Sequence, residues 1–369
     1  MDNCVIPHGY KATALGIIPQ EWEVMLLGNL SNSISSGRNK HRDAHGQYPV
    51  FGSTGIIGYS STYEYEGPVI LVARVGANAG TLNFASGQYD VSDNTLIITI
   101  KQNVYDYNFA YNQLTHYKLN KLVFGSGQPL ITSKQLKNIR IPVPPLAEQR
   151  KIAEVLGVWD KAIEKQARLI EKLALRKRAL MQRLLSAKLR LPGFSEPWKK
   201  VKLGDVAELY QPQTIQSEDL SQTGYPVYGA NGLIGYYNNY NHEYPQVVIT
   251  CRGSSCGTVN FTPGKCWITG NAMVLNVDNN RDVNKSFFYY LISNSSFVNL
   301  ISGSGQPQIV RQPLLKFELR IPPLKEQTAI AEVLTAADRE IDLAKEKIER
   351  LRRQKRGLMQ QLLTGKKRI

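Results

Sequence analysis

The sequence predicts an α+β fold in which two duplicated, mixed α/β globules are separated by a long antiparallel two-helix coiled coil with pseudo-two-fold symmetry. Three observations lead to this prediction. One motif-rich segment occurs twice, each copy contains short β-type runs between glycine turns, and each copy ends in a long proline-free stretch with heptad spacing. The 369 residues exceed one typical core and suit two domains of roughly 150 residues plus additional elements.

The internal repeat is clearest in a glycine-rich segment. Residues 48–59 (Tyr-Pro-Val-Phe-Gly-Ser-Thr-Gly-Ile-Ile-Gly-Tyr) recur at 225–236 with most positions identical, at an offset of 177. After a one-residue insertion the offset becomes 178, which relates Gly-Ser-Gly-Gln-Pro at 125–129 to the same sequence at 303–307. One ancestral module has therefore been duplicated, with Trp22 and Trp198 near the start of each copy.

The first part of each module is rich in Gly, Asn and Tyr. Apolar, β-branched runs at 69–72, 95–100 and 247–250 predict strands between glycine turns. Apolar and aromatic residues at mixed three- and four-residue spacing predict a helix within 105–119 and another within 283–301. Each globule is thus expected to have a strand-rich core with one helix.

Two long helices are predicted at 146–186 and 324–364. Both stretches lack proline, are rich in Ala, Leu, Glu, Lys, Arg and Gln, and directly follow a Pro-Pro pair. Alternating steps of four and three residues define an apolar seam of more than four heptads. The side chains expected to pack helix against helix are Ile152, Leu156, Trp159, Ile163, Ile170, Leu173, Ile330, Leu334, Ile341, Ile348 and Leu351.

The connectivity of the modules favours an antiparallel pair of helices. The first helix leads from module one into module two, whereas the second leaves module two, so equivalent ends should point in opposite directions. Lys177 and Lys355 interrupt the seam at the same layer. A heptad seam by itself is typical of structural packing or of a contact between two copies of a chain. The duplicated globules favour an intramolecular spacer on the order of 60 Å.

The chain is basic, and its charge is unevenly distributed. Its 45 Lys and Arg against 30 Asp and Glu give a net charge of +15, which favours nucleic acid as a partner, with an anionic membrane surface as the alternative. The helices and the segments that follow them carry +12 of this charge. Their basic runs suit phosphate contacts, a solvated helix face or an acidic partner. Without a long apolar run or a signal segment, a cytoplasmic protein is expected.

Base reading requires side chains that bond to base edges, chiefly Arg or Lys for guanine and Asn or Gln for adenine. The loop at 37–43 offers Arg38, Lys40 and Arg42. The equivalent stretch of module two, 211–219, contains no basic residue, and Gln213 is its candidate. The two modules are therefore expected to recognise different half-sites.

Two further segments are candidates for DNA contact. The glycine-rich turn after the first strong strand offers Arg74 and Asn78 in module one and Arg252 and Ser254 in module two, although a structural hairpin explains its glycines equally well. The Gly-Ser-Gly-Gln-Pro segments present backbone amides to a phosphate or form a tight turn. Gln128, Gln306 and Arg311 are the candidates in and after these segments.

Signals for catalysis and metal binding are missing from the sequence. There is no Walker A motif, no Asn/Asp-Pro-Pro-Tyr/Phe methyltransferase motif and no prominent carboxylate triad of a nuclease. The five histidines are scattered, and Cys4, Cys251, Cys256 and Cys266 match no common zinc spacing, which favours ordinary thiols. We therefore expect no catalytic residue, metal or cofactor in this chain.

Several paired motifs resemble a known family. They are the opening Gly-Tyr-Lys-Ala-Thr-Ala-Leu-Gly-Ile-Ile-Pro-Gln-Glu-Trp at 9–22, the Gly-Ser-Gly-Gln-Pro segments, the Pro-Pro-Leu-x-Glu-Gln helix starts and the Leu-Met-Gln-x-Leu-Leu helix ends. Together they cover nearly the whole chain and occur in the order expected for the specificity subunit of a type I restriction-modification enzyme, which this sequence resembles.

The resemblance implies a domain organisation and a set of partners. Target-recognition domains would span 1–145 and 191–323, a conserved spacer helix and linker 146–190, and a second spacer helix with a basic tail 324–369. The partners would be double-stranded DNA, two methyltransferase subunits and two motor-nuclease subunits. S-adenosylmethionine, ATP and magnesium would bind to those subunits. The alternatives are a protein-binding structural adaptor and a DNA-modifying enzyme with disguised motifs.

Overall fold

The computed structural model of the chain describes residues 6–40, 43, 45–125, 129–229, 232–303 and 305–369. Two compact units are present: unit 1 comprises Met1–Ala167 and Glu346–Ile369, and unit 2 comprises Arg168–Lys345. Each unit therefore combines one globule with part of each long helix. The recognition-domain boundaries at 145, 190 and 323 are a separate expectation and stay a prediction.

The elements of unit 1 follow one another in mixed order. Its strands are β1 (Tyr10–Thr13), β2 (Gly16–Pro19), β3 (Glu23–Leu26), β4 (Ser31–Ser36), β5 (Tyr48–Gly52), β6 (Gly55–Ser60), β7 (Tyr65–Glu66), β8 (Val69–Ala73), β9 (Leu82–Ala85), β10 (Gln88–Val91), β11 (Thr95–Ile100) and β12 (Arg140–Val143). Its helices are α1 (Leu27–Leu30), α2 (Tyr107–Tyr117) and α3 (Ser133–Lys137), and α4 (Leu146–Leu184) begins here.

Two four-stranded sheets form the frame of unit 1. The central sheet has the order β4-β11-β8-β9 and is antiparallel, and the side sheet has the order β6-β5-β10-β7, with β10 parallel to β5. Strand β8 is buried on both faces because each face meets a different core. Ile70 and Val72 join the large core that includes α2, while Val69 and Leu71 face the side sheet. This two-sided burial accounts for its unbroken apolar run.

Unit 2 repeats this frame with fewer strands. Its strands are β13 (Lys199–Lys202), β14 (Glu208–Tyr210), β15 (Tyr225–Gly229), β16 (Gly232–Tyr237), β17 (Val247–Thr250), β18 (Val259–Phe261), β19 (Trp267–Ile268), β20 (Ala272–Asn276) and β21 (Glu318–Ile321). Its helices are α5 (Leu203–Val206), α6 (Lys285–Ser293) and α7 (Arg311–Leu315), and α8 (Leu324–Leu362) begins here. The central sheet is β14-β20-β17-β18 and the side sheet β16-β15-β19.

The predicted strands, the long helices and one helix within each expected stretch of the globules are confirmed. Strands β8, β11 and β17 cover the three apolar runs, and α4 and α8 begin directly after the Pro-Pro pairs. The helix expected within 283–301 ends at Ser293, and a separate 3-10 turn follows at Val298–Leu300. The run Ser293-Asn294-Ser295-Ser296 explains the break, because such side chains compete for backbone hydrogen bonds.

Within each unit the paired parts of α4 and α8 run antiparallel. In unit 1, Glu148 contacts Arg368 at 2.9 Å and Asp160 contacts Lys355 at 2.6 Å, so positions advance along one segment as they recede along the other. In unit 2, Leu173 packs with Ile341 and Ala344, and Lys177 contacts Asp338 at 2.5 Å, so the same reversal holds. The antiparallel arrangement expected from the connectivity is therefore confirmed within each unit.

The ends of the apolar seam belong to the globule cores as well as to the helix pair. Ile152 and Leu156 lie in the core of unit 1 with Met359 and Leu362, and Ile330 and Leu334 lie in the core of unit 2. Burying each such aliphatic side chain contributes roughly 1.5–3 kcal/mol. In the middle of the helices Ile348 is buried, while Trp159, Ile163 and Leu351 are half-buried. The helices are thus anchored in the globules.

Candidate nucleic-acid interface

The basic loop of unit 1 follows β4 and is held close to the side sheet. The amide of Gly37 donates to the carbonyl of Thr95 and the amide of Asn39 to the carbonyl of Val91, both at 2.9 Å. A Cβ on Gly37 would lie 2.4 Å from the Ser92 carbonyl oxygen, so only glycine fits this close approach. The chain between these anchors leaves the Arg38 side chain 81% exposed.

The candidate side chains of this loop are available to a ligand. Arg38 meets Glu64 at 3.6 Å in a pair so exposed that it contributes little to stability. Lys40 is also exposed. Arg42 lies outside the described residues. A side chain that sequence reasoning missed, Asp90 of β10, accepts a hydrogen bond from the Asn39 amide group and is itself almost completely buried.

Arg74 lies at the base of the same loop. Its Nη1 donates to Ser36 Oγ at 3.1 Å, and its amide donates to the Asn94 carbonyl at 2.9 Å. The side chain is half-buried, unlike that of Arg38. The structure therefore brings Arg74 next to the end of β4, where the loop with Arg38 begins, although Arg38 and Arg74 are 36 residues apart in sequence.

The glycine-rich turn and the Gly-Ser-Gly-Gln-Pro segment are adjacent in both units. In unit 1 the Gly76 amide donates to the Pro129 carbonyl at 2.9 Å, and in unit 2 the Gly253 amide donates to the Pro307 carbonyl at 3.0 Å. Asn78 is exposed on the first turn, and Gln128 lies outside the described residues. A backbone hydrogen bond therefore joins the two segments in each unit, and their contact with DNA stays a prediction.

The β-bridges of the two turns follow the sequence offset of 177. Val75 forms a β-bridge with Leu130, and Arg252 forms the equivalent bridge with Gln308. Arg252 therefore corresponds to Val75, and Cys251 corresponds to Arg74. Cys251 is a buried core side chain, whereas unit 1 has the Arg74 guanidinium at this position. Burial raises the pKa of the Cys251 thiol to about 11.

The remaining candidates of unit 2 lie at its surface. Arg252, Ser254 and Gln306 are exposed around the paired turns, and Arg311 is exposed at the start of α7. Gln213 is exposed in the loop after β14, whose backbone is held by side chains. Its carbonyl accepts a hydrogen bond from Trp267 Nε1 at 3.3 Å. This loop is the counterpart of the basic loop and carries no positive charge.

The glycine-rich repeat forms a hairpin beside each loop. Strands β5 and β6 form it in unit 1, and β15 and β16 form it in unit 2. The Asp43 amide donates to the Tyr59 carbonyl and the Ser221 amide to the Tyr236 carbonyl, both at 2.8 Å. The strongest sequence repeat is therefore a scaffold element that carries the loop in which the modules differ.

The Glu-Gln pair of each helix start ties the helix to its globule. Gln149 is fully buried, accepts from the Asp106 amide at 2.8 Å and donates to the Val104 and Pro144 carbonyls. Gln327 makes the equivalent contacts at the start of α6, including one from the Asn284 amide at 2.9 Å. The motif predicted only as a helix start thus also fixes the direction in which the long helix leaves the globule.

Neither a bilayer-spanning helix nor a cluster of metal-ligating side chains is present in the part of the chain that the structure describes. No helix there has the length and apolar character needed to cross a bilayer. No group of three or more His, Cys, Asp or Glu side chains within the described ranges is arranged to hold a metal ion.

Comparison with known proteins identifies the repeated architecture. The model of the type I restriction modification DNA specificity domain matches residues 19–174 and again 195–353. The type I restriction enzyme MjaVIII specificity subunit of Methanocaldococcus jannaschii is 24% identical, over 95% of this chain and 94% of that protein. A putative type I specificity subunit of Haemophilus influenzae is 23% identical, over 85% of this chain and 86% of its own length.

Solved structures share the fold. The type I restriction-modification S subunit from M. genitalium superposes with a TM-score of 0.65 at 20% identity, covering 93% of this chain and 96% of that one. A chain from a structural study of type I complex assembly and conformational transition gives a TM-score of 0.57 at 19% identity, over 94% and 99% of the two chains. Because the family model matches both repeats, the chain belongs to the type I restriction-modification DNA specificity subunit family, whose members provide DNA recognition and not catalysis.

Proposed function

We propose that each globule reads one half of a bipartite, asymmetric DNA target. The observation that carries this proposal is the contrast between frame and loop. Most residues of the two hairpins are identical, whereas the loop beside them exposes Arg38 and Lys40 in unit 1 and the uncharged Gln213 in unit 2. A common scaffold with different side chains at one place is what two readers of different half-sites require.

Within this proposal the candidate contacts form two groups in each module. The loop after the first strand of the central sheet supplies base contacts through Arg38, Lys40 and Arg42, or through Gln213. The paired turns supply further base or phosphate contacts through Arg74, Asn78, Gln128, Arg252, Ser254, Gln306 and Arg311. The recognition domains span 1–145 and 191–323, with α4 and α8 as the spacer between them.

The proposal assigns the helices two tasks. They set the length of the unread gap between the half-sites, and they bind the partner subunits. The basic side chains along them, for example Arg176 and Arg353, are exposed and can meet DNA phosphates or acidic partner surfaces. The expected partners are two methyltransferase subunits and two motor-nuclease subunits. They would carry S-adenosylmethionine, ATP and magnesium, and the complex would act in the cytoplasm.

Exchange of the loops tests the half-site assignment. Residues 38–42 are replaced by the corresponding part of 211–219, the variant is co-expressed with its methyltransferase subunit, and the methylated sites are sequenced. We expect the half-site read by module one to change and the other to persist. The reciprocal exchange in module two is the matched control and should alter only the second half-site. An unchanged target in both exchanges would contradict the assignment.

Mobility shifts separate a DNA reader from a structural adaptor. The chain and its complex with the methyltransferase subunit are titrated against duplexes with and without the methylated target at several salt concentrations. A target-selective complex supports the proposal. An absence of selectivity with and without the partner would favour an adaptor whose globules bind protein.

A further inference from the structure

One strand position beside the recognition loop is equivalent in the two units but differs in chemistry. Asp90 of β10 is in parallel register with Val50 of the hairpin, and Trp267 of β19 is in parallel register with Val227. Both pairs are related by the offset of 177. Asp90 and Trp267 therefore occupy the same place in the repeated frame.

In unit 1 this position holds the loop through a side-chain pair. The Asn39 amide group donates to Asp90 Oδ2, and Asp90 Oδ1 accepts from the Val91 amide at 2.9 Å. Asp90 is only 6% exposed, so its carboxylate cannot exchange the Asn39 contact freely for water. Asn39 lies between Arg38 and Lys40, and fixing it limits the directions in which both cations can extend.

In unit 2 the same position holds the loop through an indole. Trp267 Nε1 donates to the backbone carbonyl of Gln213 at 3.3 Å. Gln211 adds a second contact from Nε2 to the Gly270 carbonyl at 3.0 Å. The Trp267 ring packs edge-on against Tyr237 with centroids 5.2 Å apart, which fixes the direction of its N–H group.

We propose that Asp90 and Trp267 are positioning residues that determine half-site specificity without contacting bases. This inference rests on the proposed function of the loops. Base readout requires side chains held to within about 0.5 Å, and a loop without its tie would sample several placements of its reading side chain. Each module thus holds its own loop by a hydrogen bond with a different side chain at the equivalent strand position.

Two single substitutions, one in each unit, test these hydrogen bonds to the loops. Trp267→Phe removes the N–H donor and keeps an aromatic ring against Tyr237, and Asn39→Ala removes the amide that Asp90 holds. Each variant is co-expressed with the methyltransferase subunit, its thermal unfolding is recorded, and its methylated sites are sequenced. Each variant is the matched control for the other, because they act on different modules.

The expected result is a loss of discrimination confined to one half-site. Trp267→Phe should reduce the preference for the cognate base in the module-two half-site by about tenfold, with the module-one half-site unchanged. Asn39→Ala should give the converse. A purely structural role would lower the unfolding temperature, or methylation overall, without relaxing one half-site, and that outcome would overturn the inference. If Asn39→Ala does not fold, Trp267→Phe alone decides.

Two loop variants distinguish failure of this inference from failure of the proposed function. Arg38→Ala and Gln213→Ala change the reading side chains themselves. If these variants relax the specificity of their half-sites while Asn39→Ala and Trp267→Phe do not, Asp90 and Trp267 are not positioning residues. If all four variants keep the native target, the loops do not read DNA, and the inference is overturned together with the loop assignment.

Discussion

Lys177 donates to Asp338 Oδ1 at 2.5 Å, and the same carboxylate accepts the hydroxyl of Tyr290 at 2.7 Å. Lys177 is the polar residue that interrupts the apolar seam of α4. Its counterpart Lys355 reaches Asp160 at 2.6 Å within unit 1. Each of these lysines is therefore paired with a carboxylate of the other helix within its own unit, and in unit 2 this pair also contacts α6 through Tyr290.

Removing the carboxylate of this layer should destabilise unit 2. We expect Asp338→Ala to lower the free energy of unfolding by about 1–2 kcal/mol, because the mostly buried Lys177 ammonium and the Tyr290 hydroxyl lose their acceptor. Chemical denaturation measures the change. Asp342→Ala is the matched control, since its pair with Lys345 is exposed, and it should cost less than about 0.5 kcal/mol. Equal costs would contradict the prediction.

The guanidinium of Arg190 should make a large contribution to the free energy of unfolding of unit 2. Its Nε and Nη2 donate to Glu326 at 2.6 and 2.8 Å, and the Glu326 side chain is only 1% exposed. We expect Arg190→Ala to cost about 3 kcal/mol, because it leaves a buried carboxylate without its charge partner. Glu326→Gln in the same background should recover part of the loss. If Glu326→Gln recovers none of the lost unfolding free energy in a denaturant titration, the loss comes from the packing of the Arg190 side chain and not from the unpaired carboxylate.

The equivalent substitution in unit 1 should be milder. Glu148 is bonded by Arg368 at 2.9 and 3.0 Å and also accepts from Trp22 Nε1 at 3.1 Å. In unit 2 the buried Trp198 Nε1 has no hydrogen-bond partner among the residues that the structure describes. Arg368→Ala therefore leaves Glu148 one donor, and we expect a smaller loss of unfolding free energy than for Arg190→Ala. The two variants are compared by the same denaturant titration.

Lengthening both helices should lengthen the DNA gap. In unit 2 Leu173 packs with Ile341, so one heptad inserted after Ala174 requires a second heptad opposite it, near Ile341. Seven residues add roughly 10 Å, which corresponds to about three base pairs. Methylome sequencing should show both half-sites intact and a longer gap. A paired insertion of four residues shifts the heptad register and is the control for a misaligned seam.

Acid should weaken unit 2 through His242. Its Nε2 faces the Tyr210 hydroxyl at 3.0 Å and its Nδ1 faces Asn241 Oδ1 at 2.6 Å, and burial lowers its pKa despite the opposing charge of Asp278. The pKa of His242 is lower in the folded chain than in the unfolded chain, where it is near 6.5, so the neutral side chain contributes stability above that pH. This contribution is lost as the pH falls through the folded pKa.

Unfolding midpoints at pH 7.5 and pH 5.0 measure this contribution. His242→Gln should be less stable than the native chain at the higher pH and should lose less on acidification. His45→Gln replaces an exposed histidine of unit 1 and serves as the control. An identical acid response in the native chain and in His242→Gln would show that His242 is not responsible.

Features with a period or a repeat were the ones that the sequence predicted well. The offset of 177 and 178 revealed the duplicated frame because two copies of one segment can be aligned directly. The alternating four- and three-residue spacing revealed α4 and α8 because it is local in sequence. The contacts that hold the candidate site are not local. Asn39 and Asp90 are 51 residues apart and Trp267 and Gln213 are 54 apart, and no spacing rule connects such pairs.

Arg74 and Arg252 occupy neighbouring, not equivalent, positions of the repeated turns. The offset of 177 pairs Arg252 with Val75, and the β-bridges of Val75 and Arg252 agree with this pairing. A shift of one residue along an extended segment turns a side chain to the opposite face. Arg74 is therefore half-buried beside Ser36, whereas Arg252 is exposed.

The allocation of residues to the two units has a consequence for synthesis on the ribosome. Unit 2 is one uninterrupted stretch, Arg168–Lys345, whereas unit 1 needs Glu346–Ile369 to supply Met359 and Leu362 to its core and Arg368 to Glu148. The globule that is translated first therefore cannot complete its core until the segment after residue 345 has emerged. The second globule has all of its own residues once Lys345 has emerged, so it can complete its core before the first globule does.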